Sequence, residues 1–274
     1  MKSSNPVFAR SAEFNGRGGA VASDPSQWQV DLSGSPTHTE RGAGRMTIDT
    51  TVEKTAITLG VLIVAAAVTW IASGDLGADG SAASKAYGLA MGGALIGFVL
   101  SLVNSFKKIV SPALVIGYAV FEGVFVGAFS KIIASWVGDV SIVFQAVVGT
   151  MVAFGGTLAA YKFFNIQVTD KFRKIVTISV FAFVGATLIN LLLTATGVVD
   201  GGGIRDFNTL GLLVSAAAVV LAVFMLILDF DYIEQGVAAG LPERESWRAA
   251  FGLTVTLVWL YIEILRILAI LRGD

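Results

Sequence analysis

The sequence lacks several residue types on which soluble enzymes depend. It has no cysteine, and its single histidine, His38, lies in a polar N-terminal segment. Disulfides, thiolate metal sites and cysteine nucleophiles are therefore excluded, and no buried imidazole can serve a serine–histidine dyad or a paired-histidine metal site. The net charge of −1 gives no basic surface for nucleic acid. We therefore expect no enzyme activity, no bound cofactor and no nucleic-acid partner.

Charge is also scarce, because only 14% of the residues are charged, whereas soluble domains carry about 25%. Twelve of the 19 basic and 20 acidic residues lie within the first 54 positions. The remaining 220 residues cannot cover a water-facing surface, and the mean hydropathy of the chain is +0.76. The composition therefore indicates an integral membrane protein.

Seven apolar runs are long enough to cross a bilayer as helices, which requires about 20 residues each. Their continuous apolar character, without strict alternation, excludes a β-barrel. We therefore predict an all-α bundle of about seven transmembrane helices over residues 51–274, after a disordered, polar cytoplasmic tail over residues 1–50. The predicted spans are 55–73, 87–106, 111–135, 142–164, 174–197, 207–228 and 250–271.

Basic residues in short connections predict the orientation of the bundle. A cytoplasmic N-terminus places eight of them inside: Lys107, Lys108, Lys162, Lys171, Arg173, Lys174, Arg244 and Arg248. It places three outside, Lys85, Arg205 and Arg272, with Lys131 near the outer end of the third helix. We therefore expect a multi-pass protein of the cell membrane whose N-terminus is cytoplasmic.

Acidic residues inside the spans are the candidate functional residues, because a charge at the centre of a membrane helix costs about 2.5–3.5 kcal/mol. Glu122 lies within the third span, and Glu263 lies within the seventh. Asp229 and Asp231 end the sixth apolar run, and about 200° of helical rotation separates them, so only one can face the interior.

Each acid also has a structural interpretation. Glu263 and Arg266 are three residues apart, close enough for a local ion pair. Asp229 and Asp231 could mark the end of their helix, and Glu122 could be hydrogen-bonded to a neighbouring helix. Glycines four apart, such as Gly123 and Gly127, predict close helix packing, with a glycine-lined conduit as the alternative.

Three short segments resemble motifs of the transmembrane Bax inhibitor motif family. Residues 229–234 (Asp-Phe-Asp-Tyr-Ile-Glu) are similar to its Asp-Thr-Gln-x-Ile element on helix six. Residues 260–265 (Leu-Tyr-Ile-Glu-Ile-Leu) resemble its Leu-x-Leu-Asp-Phe-Ile element on the last helix, and residues 121–127 resemble its Glu-Gly-Leu-x-Leu-Gly stretch on helix three. The resemblance covers about residues 47–272 and is that of a divergent bacterial branch.

The resemblance implies seven helices with the last one central, and a pH-dependent calcium leak through two carboxylates that share a proton. The resemblance implies that the family's helix-six acid corresponds to Asp229, with Asp231 as the alternative register. It implies that the helix-seven acid corresponds to Glu263. Glu122 takes the helix-three position. Asp229 and Glu263 would also be the oxygen ligands of a Ca²⁺ ion.

The chain departs from the family pattern in three places. Phe230 and Asp231 replace the Thr-Gln pair, and Glu263 replaces an aspartate. The arginine that some bacterial members carry in helix two is absent, and Arg266 could take its place as a partner for the acids.

We therefore expect a pH-sensitive cation (Ca²⁺) leak channel or transporter, gated by the carboxylate pair and acting on protons and Ca²⁺ in a lipid bilayer. The alternative is a non-conducting membrane protein that modulates a membrane protease or stress-response partner through the N-terminal tail and the charged loop 243–248. An intramembrane aspartyl protease also uses two acids on adjacent helices, but its Gly-x-Gly-Asp motif is missing.

Overall fold

The computed structural model describes residues 44–77 and 80–273, which form seven long helices and one 3₁₀ turn. The predicted tail therefore lies largely outside the described residues. The helices are α1 (Ile48–Ala72), α2 (Gly80–Phe106), α3 (Pro112–Val137), α4 (Ser141–Phe163), α5 (Asp170–Ala195), α6 (Thr209–Ala238) and α7 (Glu245–Arg272), and the 3₁₀ turn is Gly203–Arg205.

All seven helices are long and apolar enough to cross a membrane, which confirms the predicted seven-helix bundle. α1 begins where a capping box forms: the Thr47 hydroxyl accepts a hydrogen bond from the Thr50 backbone, and the Thr50 hydroxyl accepts one from the Thr47 backbone. The sixth helix differs from its prediction, since α6 continues to Ala238 rather than ending at residue 228. Asp229 and Asp231 therefore lie within the helix and do not mark its end.

α7 occupies the centre of the bundle, where it contacts α1, α3, α4 and α6. In the most apolar stretch of α7, 67% of the residues are buried inside the protein. The corresponding share for α5 is 6%. α5 packs mainly on α6 and on the 3₁₀ turn. Because α7 is surrounded by other helices, its polar side chains must find their partners within the protein.

Close packing of α1 on α3 depends on two glycines, as their spacing predicted. A Cβ atom at Gly123 would collide with the carbonyl oxygen of Leu62, and one at Gly127 would collide with that of Ala66. Small residues of this kind let two helix backbones approach. Gly155 and Gly156 of α4 have open space around them instead, so they have no such role.

The two ends of the bundle carry different polar contacts. At the end where α1 begins, here called the N-terminal end, the Met46 backbone N–H donates to the Leu241 carbonyl over 2.7 Å, and the Thr50 and Ser246 hydroxyls are 2.8 Å apart. At the opposite end, here called the far end, Trp136 packs on Phe207, and Arg272 forms an ion pair with Asp139.

Candidate functional site

Asp229 lies on α6 at its interface with the central helix. The residue is half-buried, and its Oδ2 accepts a hydrogen bond of 2.6 Å from the Thr256 hydroxyl. The Thr256 hydroxyl also contacts the Gly252 carbonyl of its own helix at 3.1 Å. Among the described residues, the Thr256 hydroxyl is the sole hydrogen-bond partner of the carboxyl group. Asp229 is therefore an acid within a membrane-spanning helix that has no counter-ion among residues 44–77 and 80–273.

Asp231 points away from this interface, as the helical rotation required. It forms an ion pair of 2.6 Å with Arg173 of α5, and the Gln235 side chain donates to the same oxygen over 2.8 Å. Three residues further along, Glu234 accepts a hydrogen bond from the Tyr161 hydroxyl of α4. The polar last turns of α6 are thus paired with α4 and α5, which explains why the helix continues past residue 228.

Glu263 lies in the far half of α7, where its carboxylate accepts two hydrogen bonds from Arg205. The two nitrogen–oxygen distances are 2.7 and 3.1 Å, and the Glu263 side chain is 2% exposed. Arg205 belongs to the 3₁₀ turn between α5 and α6. Two parallel hydrogen bonds between charged groups are a strong and directional arrangement. Glu263 is therefore a neutralised carboxylate.

The predicted local pair between Glu263 and Arg266 does not form. The Arg266 guanidinium donates instead to the backbone carbonyl of Arg205 and lies 4.6 Å from the centre of the Phe207 ring. Its buried Nε has no hydrogen-bond partner in the described structure. Arg266 thus helps to hold the 3₁₀ turn in place. Because Arg205 occupies the Glu263 carboxylate, Arg266 is not the counter-ion of that acid.

The predicted pairing of Asp229 with Glu263 is also corrected. Thr256, which marks the depth of Asp229 on α7, is seven residues from Glu263, and this spacing corresponds to about 10.5 Å along a helix. Buried apolar residues of α6 and α7 fill this interval, among them Leu226, Leu257 and Leu260. The two carboxyl groups therefore lie at different depths, with different partners.

This separation also bears on the predicted Ca²⁺ ligands. Within residues 44–77 and 80–273, no three acidic or imidazole side chains lie close enough together to hold a metal ion. Asp229 and Glu263 do not form a joint ligand set in this arrangement.

Glu122 of α3 lies against α2, where its Oε2 fills the space beside Gly97. A Cβ atom at Gly97 would be 2.7 Å from that oxygen. One turn earlier, the Tyr118 ring packs edge-on against Phe251 of α7 at 5.1 Å. The described residues give the Glu122 carboxyl group no hydrogen bond, so the predicted bond to a neighbouring helix is not formed. Neither Asp229 nor Glu263 is joined to Glu122 by a hydrogen bond or ion pair in the described part of the chain.

Three partners of the acids were not predicted from the sequence: Arg205, Arg173 and Thr256. Arg205 and Arg173 lie outside the predicted apolar spans and were assigned only to connections on opposite sides of the membrane. Thr256 is one of several hydroxyl residues in the spans, and most of these donate to the carbonyl four residues earlier. No local pattern distinguishes the three, because each acquires its role through a residue far away in the chain.

A family model described as Bax inhibitor 1 like matches residues 5–273, which is nearly the entire chain. Comparison with curated protein sequences finds no significant match. The matched region contains all seven helices and each of the acids described above. The chain is thus a multi-pass membrane protein that belongs to the Bax inhibitor 1 like family.

Proposed function

We propose that this protein is a pH-sensitive cation leak channel or transporter of the cell membrane, with Ca²⁺ as the candidate ion. In this proposal the N-terminal end of the bundle is cytoplasmic, and the protein has no enzymatic activity. One observation carries the proposal: the half-buried Asp229 carboxyl group lies between α6 and α7 with a hydroxyl as its sole hydrogen-bond partner in the described structure.

A lone acid in this position couples protonation to ion binding. When it is protonated, Asp229 is neutral and its hydrogen bond with Thr256 holds α6 against α7. When it loses the proton, an unpaired charge stands inside the membrane, which is costly unless a cation or water approaches it. Ca²⁺ prefers carboxylate, carbonyl and water oxygens. Deprotonation of Asp229 would therefore favour a hydrated conformation that admits cations.

The apolar layer described above gives the closed state a physical basis. Leu226 of α6 and Leu257 and Leu260 of α7 separate Asp229 from the far end. For an ion to cross this layer, α6 must move relative to α7, because packed apolar side chains leave no path for a hydrated ion. The small residues Ala218 and Ala222 on the same face of α6 are fully buried, so they offer little side-chain bulk against such a movement.

Beyond this layer, Arg205 is the second barrier to ion passage. Its guanidinium is bound to the Glu263 carboxylate, so a cation that binds Glu263 must displace Arg205. The ion would meet the carboxylates one after the other, with water and backbone oxygens completing its ligands. This differs from a shared-proton pair, because the two acids would act at separate steps.

The direct test is Ca²⁺ flux into liposomes that contain the full chain, measured against pH. The wild type should conduct with a pH dependence that Asp229→Asn abolishes. Asp75→Asn is the matched control, because Asp75 is exposed in the connection between α1 and α2 and, among the described residues, accepts a hydrogen bond only from the backbone of Gly77. A complete lack of flux, or an unchanged pH profile in Asp229→Asn, would overturn the proposal.

Lack of flux would instead favour a non-conducting regulatory protein. The charged segment 243–248, expected as a loop that binds a partner in that case, includes the first turn of α7 and makes contacts inside this chain. The Glu243 backbone N–H donates to the Gly44 carbonyl over 2.9 Å, and Arg248 pairs with Glu245 at 2.7 Å and with the carbonyl oxygens of Lys107 and Lys108. These contacts support the loop as a structural element and favour the leak over the alternative.

A further inference from the structure

The half of α5 at the N-terminal end of the bundle carries positive charge that no described residue neutralises. Three basic groups at the N-terminal end of the bundle have acidic partners: Arg173 binds Asp231, Arg248 binds Glu245, and Lys54 binds Glu53. In contrast, Lys162, Lys171 and Lys174 are exposed and form no ion pair with any described residue. All three flank the short connection between α4 and α5.

The two faces of α5 differ sharply. One face packs on α6 and α7 through Phe172, Arg173, Val176 and Phe183. The opposite face carries Lys171 and Lys174 in its first two turns, followed at helical spacing by the exposed residues Ile178 and Phe181. Positive charge therefore stands directly above an apolar face, which matches the two parts of a phospholipid.

The connection that precedes α5 also places a lysine beside exposed apolar side chains. Phe163 and Phe164 are 81% and 78% exposed, beside Lys162. Aromatic rings and lysines are typical of the level of lipid headgroups. The acids nearby oppose this charge only in part, because Asp231 is bound by Arg173 and Glu234 by Tyr161, which leaves Asp170.

We infer that Lys162, Lys171 and Lys174 bind an anionic phospholipid, with the headgroup phosphate at the lysines and the acyl chains along Ile178 and Phe181. One guanidinium nitrogen of Arg173 binds Asp231, and its other N–H groups have no partner among the described residues. Arg173 therefore also contributes to the phosphate site. The bound phosphate would thereby be linked through Arg173 to α6. Lipid binding at this site does not require that the protein conducts ions.

The inference is tested by native mass spectrometry of the full chain with added phosphatidylglycerol or phosphatidylcholine. The wild type should retain phosphatidylglycerol in preference to phosphatidylcholine. Lys171→Gln/Lys174→Gln should bind phosphatidylglycerol about 30-fold more weakly, because each lysine near an anionic surface contributes about fivefold. Binding of phosphatidylcholine should not change.

The matched control is Lys107→Gln/Lys108→Gln, which removes two exposed lysines from the connection between α2 and α3. This variant should keep the wild-type affinity for phosphatidylglycerol. Equal loss in both double variants would show a diffuse surface effect and overturn the inference. So would equal retention of the two lipids, or an unchanged affinity in Lys171→Gln/Lys174→Gln. Circular dichroism spectra that match the wild type would show that the variants are folded.

Discussion

Arg205 and Glu263 are 58 positions apart in the chain, yet the guanidinium of one donates two hydrogen bonds to the carboxylate of the other. The pair connects the turn between α5 and α6 to the central helix. Asn190 of α5 holds the same turn, since its side chain donates to the Gly202 carbonyl and accepts from the Ile204 backbone, each over 2.9 Å. The far end of the bundle is thus fixed by polar contacts that converge on one short segment.

Removal of the guanidinium should destabilise the protein strongly. Arg205→Gln leaves Glu263 buried without a counter-charge, which typically costs about 3–5 kcal/mol. Thermal unfolding in detergent would measure this loss. The double variant Arg205→Gln/Glu263→Gln should be more stable than Arg205→Gln alone, because it carries no lone buried charge. Arg272→Gln, which removes an exposed pair with Asp139, is the control and should change stability little. Equal stability of Arg205→Gln and the wild type would contradict the assignment.

The hydrogen bond between Thr256 and Asp229 should also contribute to stability. Thr256→Val keeps the size of the side chain but removes the donor, so the half-buried carboxyl group loses its partner at a cost of about 1–3 kcal/mol. Thr256→Ser retains the hydroxyl and should lose less. Denaturation curves of the two variants would show the difference, and a valine variant as stable as the serine variant would rule out a structural role for this bond.

The packing of α1 on α3 predicts a clear difference between glycines. Gly127→Ala places a Cβ atom against the backbone of Ala66, and overpacking of this kind costs about 1–3 kcal/mol. Gly155→Ala is the control, because its surroundings are open. The melting temperature of Gly127→Ala should therefore fall, while that of Gly155→Ala should not. Similar melting temperatures in both variants would mean that α1 and α3 are further apart.

Asp139, in the connection between α3 and α4, has a pKa below its usual value. The main cause is hydrogen bonding from the Ser141 hydroxyl and backbone N–H, and Arg272 adds a smaller contribution. Because the pKa is lower in the folded state, the stabilisation exists above the unfolded pKa and disappears as the pH falls through the folded value, in the acid range below about pH 4.

Carbon-13 NMR of labelled aspartate would follow this titration directly. Ser141→Ala should move the pKa of Asp139 up towards the ordinary value by more than Arg272→Gln does. The reverse order would show that the ion pair, rather than the serine, stabilises the carboxylate.

Much of the fold could be predicted from the sequence, because apolar length alone determines whether a helix crosses a bilayer. The end of α6 could not, since Asp231 and Glu234 are retained in the helix by Arg173 and Tyr161 on other helices. The acids themselves were recognisable by their cost in a membrane span. Their partners were not, because pairing of Glu263 with Arg205 rather than Arg266 depends on how a turn outside the spans folds back onto α7.

In the proposed mechanism, Asp229 and Glu263 act at separate positions along the ion path rather than as one proton-sharing pair. A double-mutant cycle on liposome Ca²⁺ flux distinguishes these two arrangements, with Asp229→Asn, Glu263→Gln and the combined variant at one pH. Residues without contact usually have additive effects within about 0.3–0.5 kcal/mol. If the two acids act separately, their effects on the logarithm of the flux should add within this margin. A coupling above about 1 kcal/mol would contradict it, because carboxyl groups that share a proton respond as a unit.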